Sequence, residues 1–137
     1  MNRFLHLKPG CRVPEWMEAL DRTCFGDPWG PLDECEHIWA AYPDAFARWR
    51  IIPEVQEAEL LRIGVAAGAR RKGRGRALLR HSQAAMARLG VDMLHLEVRV
   101  SNLAARALYE SEGWVYRGTR RSYYRDGEAA ALYSRLV

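Results

Sequence analysis

The chain has 137 residues, 49% of them hydrophobic, and its 21 basic and 17 acidic side chains leave a net charge of +4. That length suits one domain, residues 1–137, large enough to bury a core without a disulfide or a metal. No uncharged run exceeds seven residues, which excludes a membrane-spanning helix, and Met1-Asn2-Arg3-Phe4-Leu5-His6 has no apolar leader core.

The basic side chains are nearly all arginine, with only Lys8 and Lys72 as lysines, so net charge by itself argues weakly for an anionic partner. Cys11, Cys24 and Cys35 form no CxxC pair, the pattern of reduced thiols in a cytoplasmic protein. The four histidines show no metal-ligand spacing, and no metal is expected.

In chain order, residues 14–24 read as a short helix with Pro14 in its first turn. Phe25-Gly26-Asp27-Pro28-Trp29-Gly30-Pro31 breaks it, and residues 32–41 read as a second short helix. Residues 45–52 alternate Ala45, Ala47, Trp49 and Ile51 against Phe46, Arg48 and Arg50, the pattern of a half-buried antiparallel strand. A turn at 53–56 leads to a strand over 57–65 and a loop over 66–73. Residues 74–89 then read as a helix with Leu78, Ser82, Met86 and Leu89 on one stripe and Gly90 as its cap. Residues 91–100 suit a central parallel strand. Asn102 is placed to cap a helix over 103–112, which Gly113 ends. Strands at 114–124 and 129–136 flank Asp126-Gly127, a strong hairpin signal. This order predicts an α/β fold: a mixed, mostly antiparallel sheet with one central parallel βαβ step and flanking helices.

The most informative segment runs from a strand through Ile63-Gly64-Val65 into Arg70-Arg71-Lys72-Gly73-Arg74-Gly75-Arg76, where a helix opens. Glycines at 73 and 75 let the backbone approach a ligand, and a helix N-terminus favours anions, so a pyrophosphate is the natural guest. Arg70, Arg71, Lys72, Arg74, Arg76 and Arg80 set six cations within eleven residues. The segment is neither a Walker loop nor a GxGxxG fingerprint, because the first lacks its GK[ST] and the second its third glycine. Gly64, inside an apolar strand, marks a bulge or a close backbone approach.

Arg70-Arg71-Lys72-Gly73-Arg74-Gly75 resembles the [Q/R]xxGx[G/A] motif of the GNAT acyltransferases. Leu96-Glu97-Val98-Arg99-Val100-Ser101-Asn102, continuing through Leu108-Tyr109-Glu110 to Gly113-Trp114, is similar to a specific block of their RimI-type, ribosomal-protein-alanine N-acetyltransferases. Phe25-Gly26-Asp27-Pro28-Trp29 and Arg120-Arg121-Ser122-Tyr123-Tyr124 match further family elements, so the resemblance covers roughly residues 15–133. Ala66-Ala67 replace the usual Asp-Pro, Trp114 replaces Phe, Gly30 replaces Ser, and residues 30–44 depart from the pattern on the side that shapes the acceptor site.

The resemblance implies the GNAT fold with acetyl-CoA (coenzyme A) as cofactor. Ile63, Val65, Arg70, Arg71, Lys72, Gly73, Arg74, Gly75, Arg76, Asn102 and Tyr109 would bind it, with Val65 offering backbone donors to the thioester. It also implies Glu97 as base and Tyr109 as acid. By strand parity Glu97 lies with Met93, His95 and Arg99 at the C-terminal end of its strand, where ligands bind in α/β sheets. On the residues alone the favoured reading is a carboxylate paired with Arg99 or Arg62 on a solvated face, and the resemblance is what makes it a base. Tyr109 is equally a core tyrosine, and Asn102 equally a helix cap. Trp29, Trp39, Trp49 and Trp114 read as core or lining, His95 as a packed strand histidine, and Tyr123 and Tyr124 as strand residues or acceptor-groove lining.

The expected activity is therefore acetyl transfer to a protein N-terminal α-amino group, that of an N-terminal alanine of a small-subunit ribosomal protein, by a monomer or weak dimer needing no nucleic acid or membrane. One alternative acceptor is another amine, a lysine side chain or a small metabolite. A distant alternative is a non-catalytic basic module that holds RNA or ribosomes through residues 70–80 and 117–125.

Overall fold

The computed structural model describes residues 4–137; residues 1–3, within the stretch read for a leader, lie outside the described residues. Strands β1 (Leu5–Leu7), β2 (Glu36–Ala41), β3 (Ala45–Ile52), β4 (Glu57–Val65), β5 (Met93–Arg99), β6 (Val115–Arg120) and β7 (Ala130–Leu136) form one sheet in the order β1-β2-β3-β4-β5-β7-β6. Among the described residues only β4 and β5 pair in parallel; every other neighbour is antiparallel. The parallel step is the expected one, with helix α2 (Arg74–Arg88) as its crossover. No described helix is long and apolar enough to cross a membrane.

The sheet is covered on both faces. One face carries Trp39, Ala47, Trp49, Leu60, Leu94 and Leu96 against Leu78, Leu79 and Met86 of α2 and Tyr109 of α3 (Leu103–Ser111). The other carries Ile38, Ala40 and Phe46 against Met17 and Leu20 of α1 (Glu15–Phe25). Leu89, expected on the α2 stripe, lies past the helix end and is exposed.

The structure corrects three expectations, two of them through this double covering. Residues 32–41 contain strand β2, not a helix. Their Ala, Leu and Glu have helical propensity, but Ile38-Trp39-Ala40 is inserted between β1 and β3 and buried from both sides, which removes the alternation that marks a half-buried strand. For the same reason β3 is buried on both faces rather than half-buried. Arg48 is only 2% exposed and donates to Glu36 Oε1 at 2.8 Å and to the carbonyls of Gly30 and Pro31, both at 2.8 Å. Finally, β6 stops at Arg120, and Asp126-Gly127 turns within a loop over 121–129 instead of closing a tight hairpin. Arg99 holds that loop through Asp126 and Glu128.

Removing one partner of a buried ion pair leaves an uncompensated charge, so Glu36→Ala is expected to cost about 3–5 kcal/mol. Urea denaturation measures this. A loss below about 1 kcal/mol, the usual value of an exposed pair, would contradict the structural role.

Candidate active site

The ladder between β4 and β5 is short. It runs from Glu57–Met93 to Leu60–Leu96, although β4 continues to Val65 and β5 to Arg99. At that point the β3 partners step from Leu60 (Trp49) to Arg62 (Arg48), leaving Leu61 as an extra residue. An extra residue bends its strand, and beyond it the two parallel strands part. The bulge therefore sits at Leu61 and not at Gly64. Gly64 serves the close approach: a Cβ there would lie 2.8 Å from Cε1 of Phe46 and 3.4 Å from Sγ of Cys24.

Register aims the backbone into the opening. Ala66 N donates to Asp44 O at 2.8 Å, so Ala45–Val65 and Ala47–Ile63 are the non-hydrogen-bonded pairs of the antiparallel ladder. The peptide groups of Ile63 and Val65 accordingly point away from β3, toward the gap beside β5. The Val65 carbonyl is taken by Arg70 Nε at 2.9 Å, which leaves its N–H as the group it can offer.

Two clefts meet there. The first, about 720 Å³, lies between Phe25 and Trp29 on one side and Tyr123 and Tyr124 on the other, with Glu59, Glu97, Asn102 and Tyr109 also on its surface. The second, about 620 Å³, runs from Val65 past Arg70, Arg71 and the Gly73–Gly75–Arg76 turn to Ala104 and Leu108 of α3. Cys24, Phe25, Ile63 and Ala105 line both. Every residue expected to bind cofactor or act in catalysis borders one of the two clefts except Lys72, which stands exposed beside the second.

The turn before α2 is built for close approach. Gly73 is left-handed (φ 76°) and caps the helix, with open space where a Cβ would lie, and the helix has no acidic residue in its first turn. The cations divide their duties. Arg74 Nε lies 3.3 Å from Asp44, and Arg76 and Arg80 meet the Glu112 carboxylate at 2.5 and 2.6 Å. Arg71 and Lys72 form no ion pair among the described residues.

Glu97 projects into the first cleft on the face parity assigned to it. It pairs with neither Arg99 nor Arg62, but with Arg120 Nη1 at 3.3 Å. Its hydrogen bond with Tyr123, followed by burial, pushes that phenol up to about 12. Tyr109 combines its two readings: its ring packs on Trp114 and Tyr133 (5.9 and 6.3 Å between centroids), while its hydroxyl makes no hydrogen bond to described protein atoms and is not occluded. Burial, with Tyr124 nearby, holds that phenol well above the ordinary tyrosine value. Asn102 caps α3 by accepting from Ala105 N at 3.2 Å and also borders the first cleft. Trp29 lines this cleft, whereas Trp39, Trp49 and Trp114 are core. His95 bridges Glu57 (2.5 Å) and Ser134 (3.0 Å).

Glu59 is the residue the sequence reading passed over. Burial first, then the charge of Glu97, raises its carboxyl above the usual range, and Arg50 lies 3.8 Å away. Alternation along β4 puts it on the face of Glu57, but only the parallel register, Glu59 beside His95, brings it next to Glu97.

Glu112 is held below the ordinary carboxylate range by the hydrogen bond from Arg80 and then that from Arg76. A depressed value means stability that is fully present above the unfolded glutamate value, about 4.3, and lost as pH falls through the folded one. Glu112→Gln is thus expected to be less stable than wild type at neutral pH and to converge with it in acid. Urea midpoints across a pH series test this, and a constant difference at every pH would refute it.

Comparison with known proteins agrees with this geometry. Residues 1–114 match the family model described as the acetyltransferase (GNAT) family. The chain is 44% identical over 94 residues to the [ribosomal protein bS18]-alanine N-acetyltransferase of Escherichia coli (strain K12), covering 67% of this chain and 62% of that protein's length. It is 40% identical over 79 residues to an N-alpha-acetyltransferase of Sulfurisphaera tokodaii, covering 57% of this chain and 47% of the relative. The crystal structure of the ribosomal-protein-S18-alanine N-acetyltransferase from Escherichia coli superposes with a TM-score of 0.81 at 31% identity, covering 100% of this chain and 94% of that one. Sequence and fold together place this chain in the acetyltransferase (GNAT) family.

Proposed function

We propose that this protein transfers an acetyl group from acetyl-CoA to the α-amino group of a protein N-terminus, that of an alanine on a small-subunit ribosomal protein, with Glu97 as base and Tyr109 as acid. The observation that carries this reading is the meeting of the two clefts where β4 and β5 part, one flanked by Glu97 and Tyr109 and the other by the Gly73 turn. The similarity to the bS18-alanine N-acetyltransferase supports the choice of acceptor.

The residues fit the cofactor. The Gly73 turn leaves space where a side chain would stand, and the start of α2 offers free N–H groups to a pyrophosphate. Arg71 and Lys72 are free to meet further phosphate charge. Ile63 and Val65 turn their peptide groups into the gap through which the pantetheine arm would pass. When bound, acetyl-CoA supplies the thioester-activated acetyl group.

The protein's own tasks are proton management and orientation. An α-ammonium of pKa ~7.8 gives up its proton at pH 7 for about 1 kcal/mol, against about 4.6 kcal/mol for a lysine at ~10.4. A carboxylate that orients the amine and takes that proton, directly or through a water, therefore suffices, and Glu97 supplies it. Tyr109 holds a proton on a phenol that burial keeps un-ionised, ready for a departing thiolate. The Val65 N–H is placed to steady a polarised carbonyl.

The deciding experiment incubates the protein with acetyl-CoA and two basic peptides, one with a free N-terminal alanine and acetylated lysines, the other with a blocked N-terminus and free lysines. A mass shift on the first alone is expected. A shift on the second alone would make the acceptor a side-chain amine, and acetyl-CoA binding with no shift on either would remove the peptide-acceptor reading. Tyr109→Phe is expected to lower kcat about a hundredfold or more while leaving acetyl-CoA affinity nearly unchanged. Gly73→Val should do the reverse, with calorimetry showing about a tenfold weaker Kd; equal losses in both parameters would contradict these assignments.

A further inference from the structure

The two strands that part at Leu60 and Leu96 each carry an arginine on the wall of the first cleft, Arg62 on β4 and Arg99 on β5. Each reaches sideways to an element beyond the sheet, Arg62 to the end of α1 and the segment that follows it and Arg99 to the loop over 121–129. Arg62 Nη1 donates to Asp21 Oδ1 and to the carbonyl of Asp27, both at 2.8 Å, and its guanidinium lies 4.6 Å from the ring of Phe25 and 4.7 Å from that of Trp29. The second oxygen of Asp21 accepts from the backbone N–H of Trp29 at 2.8 Å, closing the bracket. On the opposite side Arg99 Nη1 donates to Asp126 Oδ2 at 2.8 Å and to Glu128 Oε1 at 2.9 Å, with its guanidinium 4.1 Å from the ring of Tyr124. Glu128 Oε2 accepts from Ser101 N at 2.9 Å.

Phe25, Trp29 and Tyr124 are walls of the cleft, and they lie outside the sheet. The Arg99 pairs are half-exposed and contribute little to stability, whereas the Arg62–Asp21 pair is largely buried and also anchors α1, which is why the substitutions at 62 and 99 keep the positive charge. What a guanidinium adds is direction: its planar fork fixes a carboxylate while its face fixes an aromatic ring, a combination that a lysine ammonium cannot reproduce. Because the two arginines stand on diverging strands, the angle between the strands is transmitted to the distance between the aromatic walls.

We propose that Arg62 and Arg99 are paired positioning residues that set the width of the acceptor cleft and thereby select the first side chain of the peptide it admits. This rests on the reading of the acceptor as a protein N-terminus.

The test compares wild type with Arg62→Lys, Arg99→Lys and the double variant Asp126→Asn with Glu128→Gln, which cuts the same bracket from the loop side. Two peptides differing only in N-terminal Ala or Leu are the acceptors, and acetyl-CoA affinity is measured by calorimetry. The wild type is expected to prefer Ala. Each variant should raise the KM for the Ala peptide about tenfold to a hundredfold, lose most of that preference and keep its acetyl-CoA affinity. The loop-side variant should reproduce Arg99→Lys. Equal losses on both peptides with the preference intact, or a lower melting temperature as the only change, would overturn the proposal while leaving the N-terminal reading standing. A wild type that acetylates neither peptide would overturn both. Should a lysine variant lose acetyl-CoA binding through misfolding, the loop-side variant decides alone: retained preference refutes the proposal and lost preference supports it.

Discussion

The separation of β4 from β5 after four paired residues is the constraint on which the site depends. Two neighbouring strands ordinarily continue their ladder for as long as both last. Here the extra residue at Leu61 bends β4 while β5 stays in register with β7 through Arg99. Peptide groups that would have bonded across the ladder are left facing a gap, and buried peptide groups need partners. A ligand able to accept and donate along an extended backbone would answer that need, which supports reading the opening as the proposed cofactor site and not merely a fault in the sheet. The parallel register sets Glu59 and Glu97 on one cleft surface, and the bend beyond it carries Arg62 and Arg99 apart.

The arginine content takes on a meaning that net charge could not supply. Arg48 is locked beneath the sheet by Glu36 and two carbonyls, Arg76 and Arg80 fasten α2 to the end of α3 through Glu112, and Arg62 and Arg99 hold the loops beside the first cleft. Within the basic run at 70–80, Arg74, Arg76 and Arg80 are paired with carboxylates and Arg70 is held by the Val65 carbonyl. Arg71 and Lys72, at the lip of the second cleft, are the members of that run with neither an ion-pair partner nor a side-chain hydrogen bond among the described residues. Within residues 70–80 this distribution favours a single phosphate-bearing ligand at the start of α2 over a broad polyanion-binding face.

The chemistry also divides along the bend. Tyr109 packs in the hydrophobic core and also borders the first cleft, so the helix that packs the fold also contributes to the cleft surface. Glu97 instead lies on the polar face, tied to Arg120 and Tyr123. Rigid packing on one side and polar contacts on the other are what the proposed proton donor and the proposed base would each require.

Much of this was legible along the chain because its causes are local. Glycine at 73 in a left-handed cap, Asn102 accepting from Ala105, and the alternation that puts Glu97 opposite Leu96 each depend on a few consecutive residues. The strand–loop–helix order around the parallel step was legible for the same reason. Tertiary structure alone decided the rest. Strand β2 reads as helix until β1 and β3 enclose it, and the bulge reads as Gly64 until the β3 register moves it to Leu61. Asp126-Gly127 reads as a tight turn until Arg99 draws the loop across the cleft, and Glu59 has no visible role until a parallel neighbour brings Glu97 beside it. Each depends on which strand lies next to which, a relation between residues distant in sequence that local propensity and alternation do not encode.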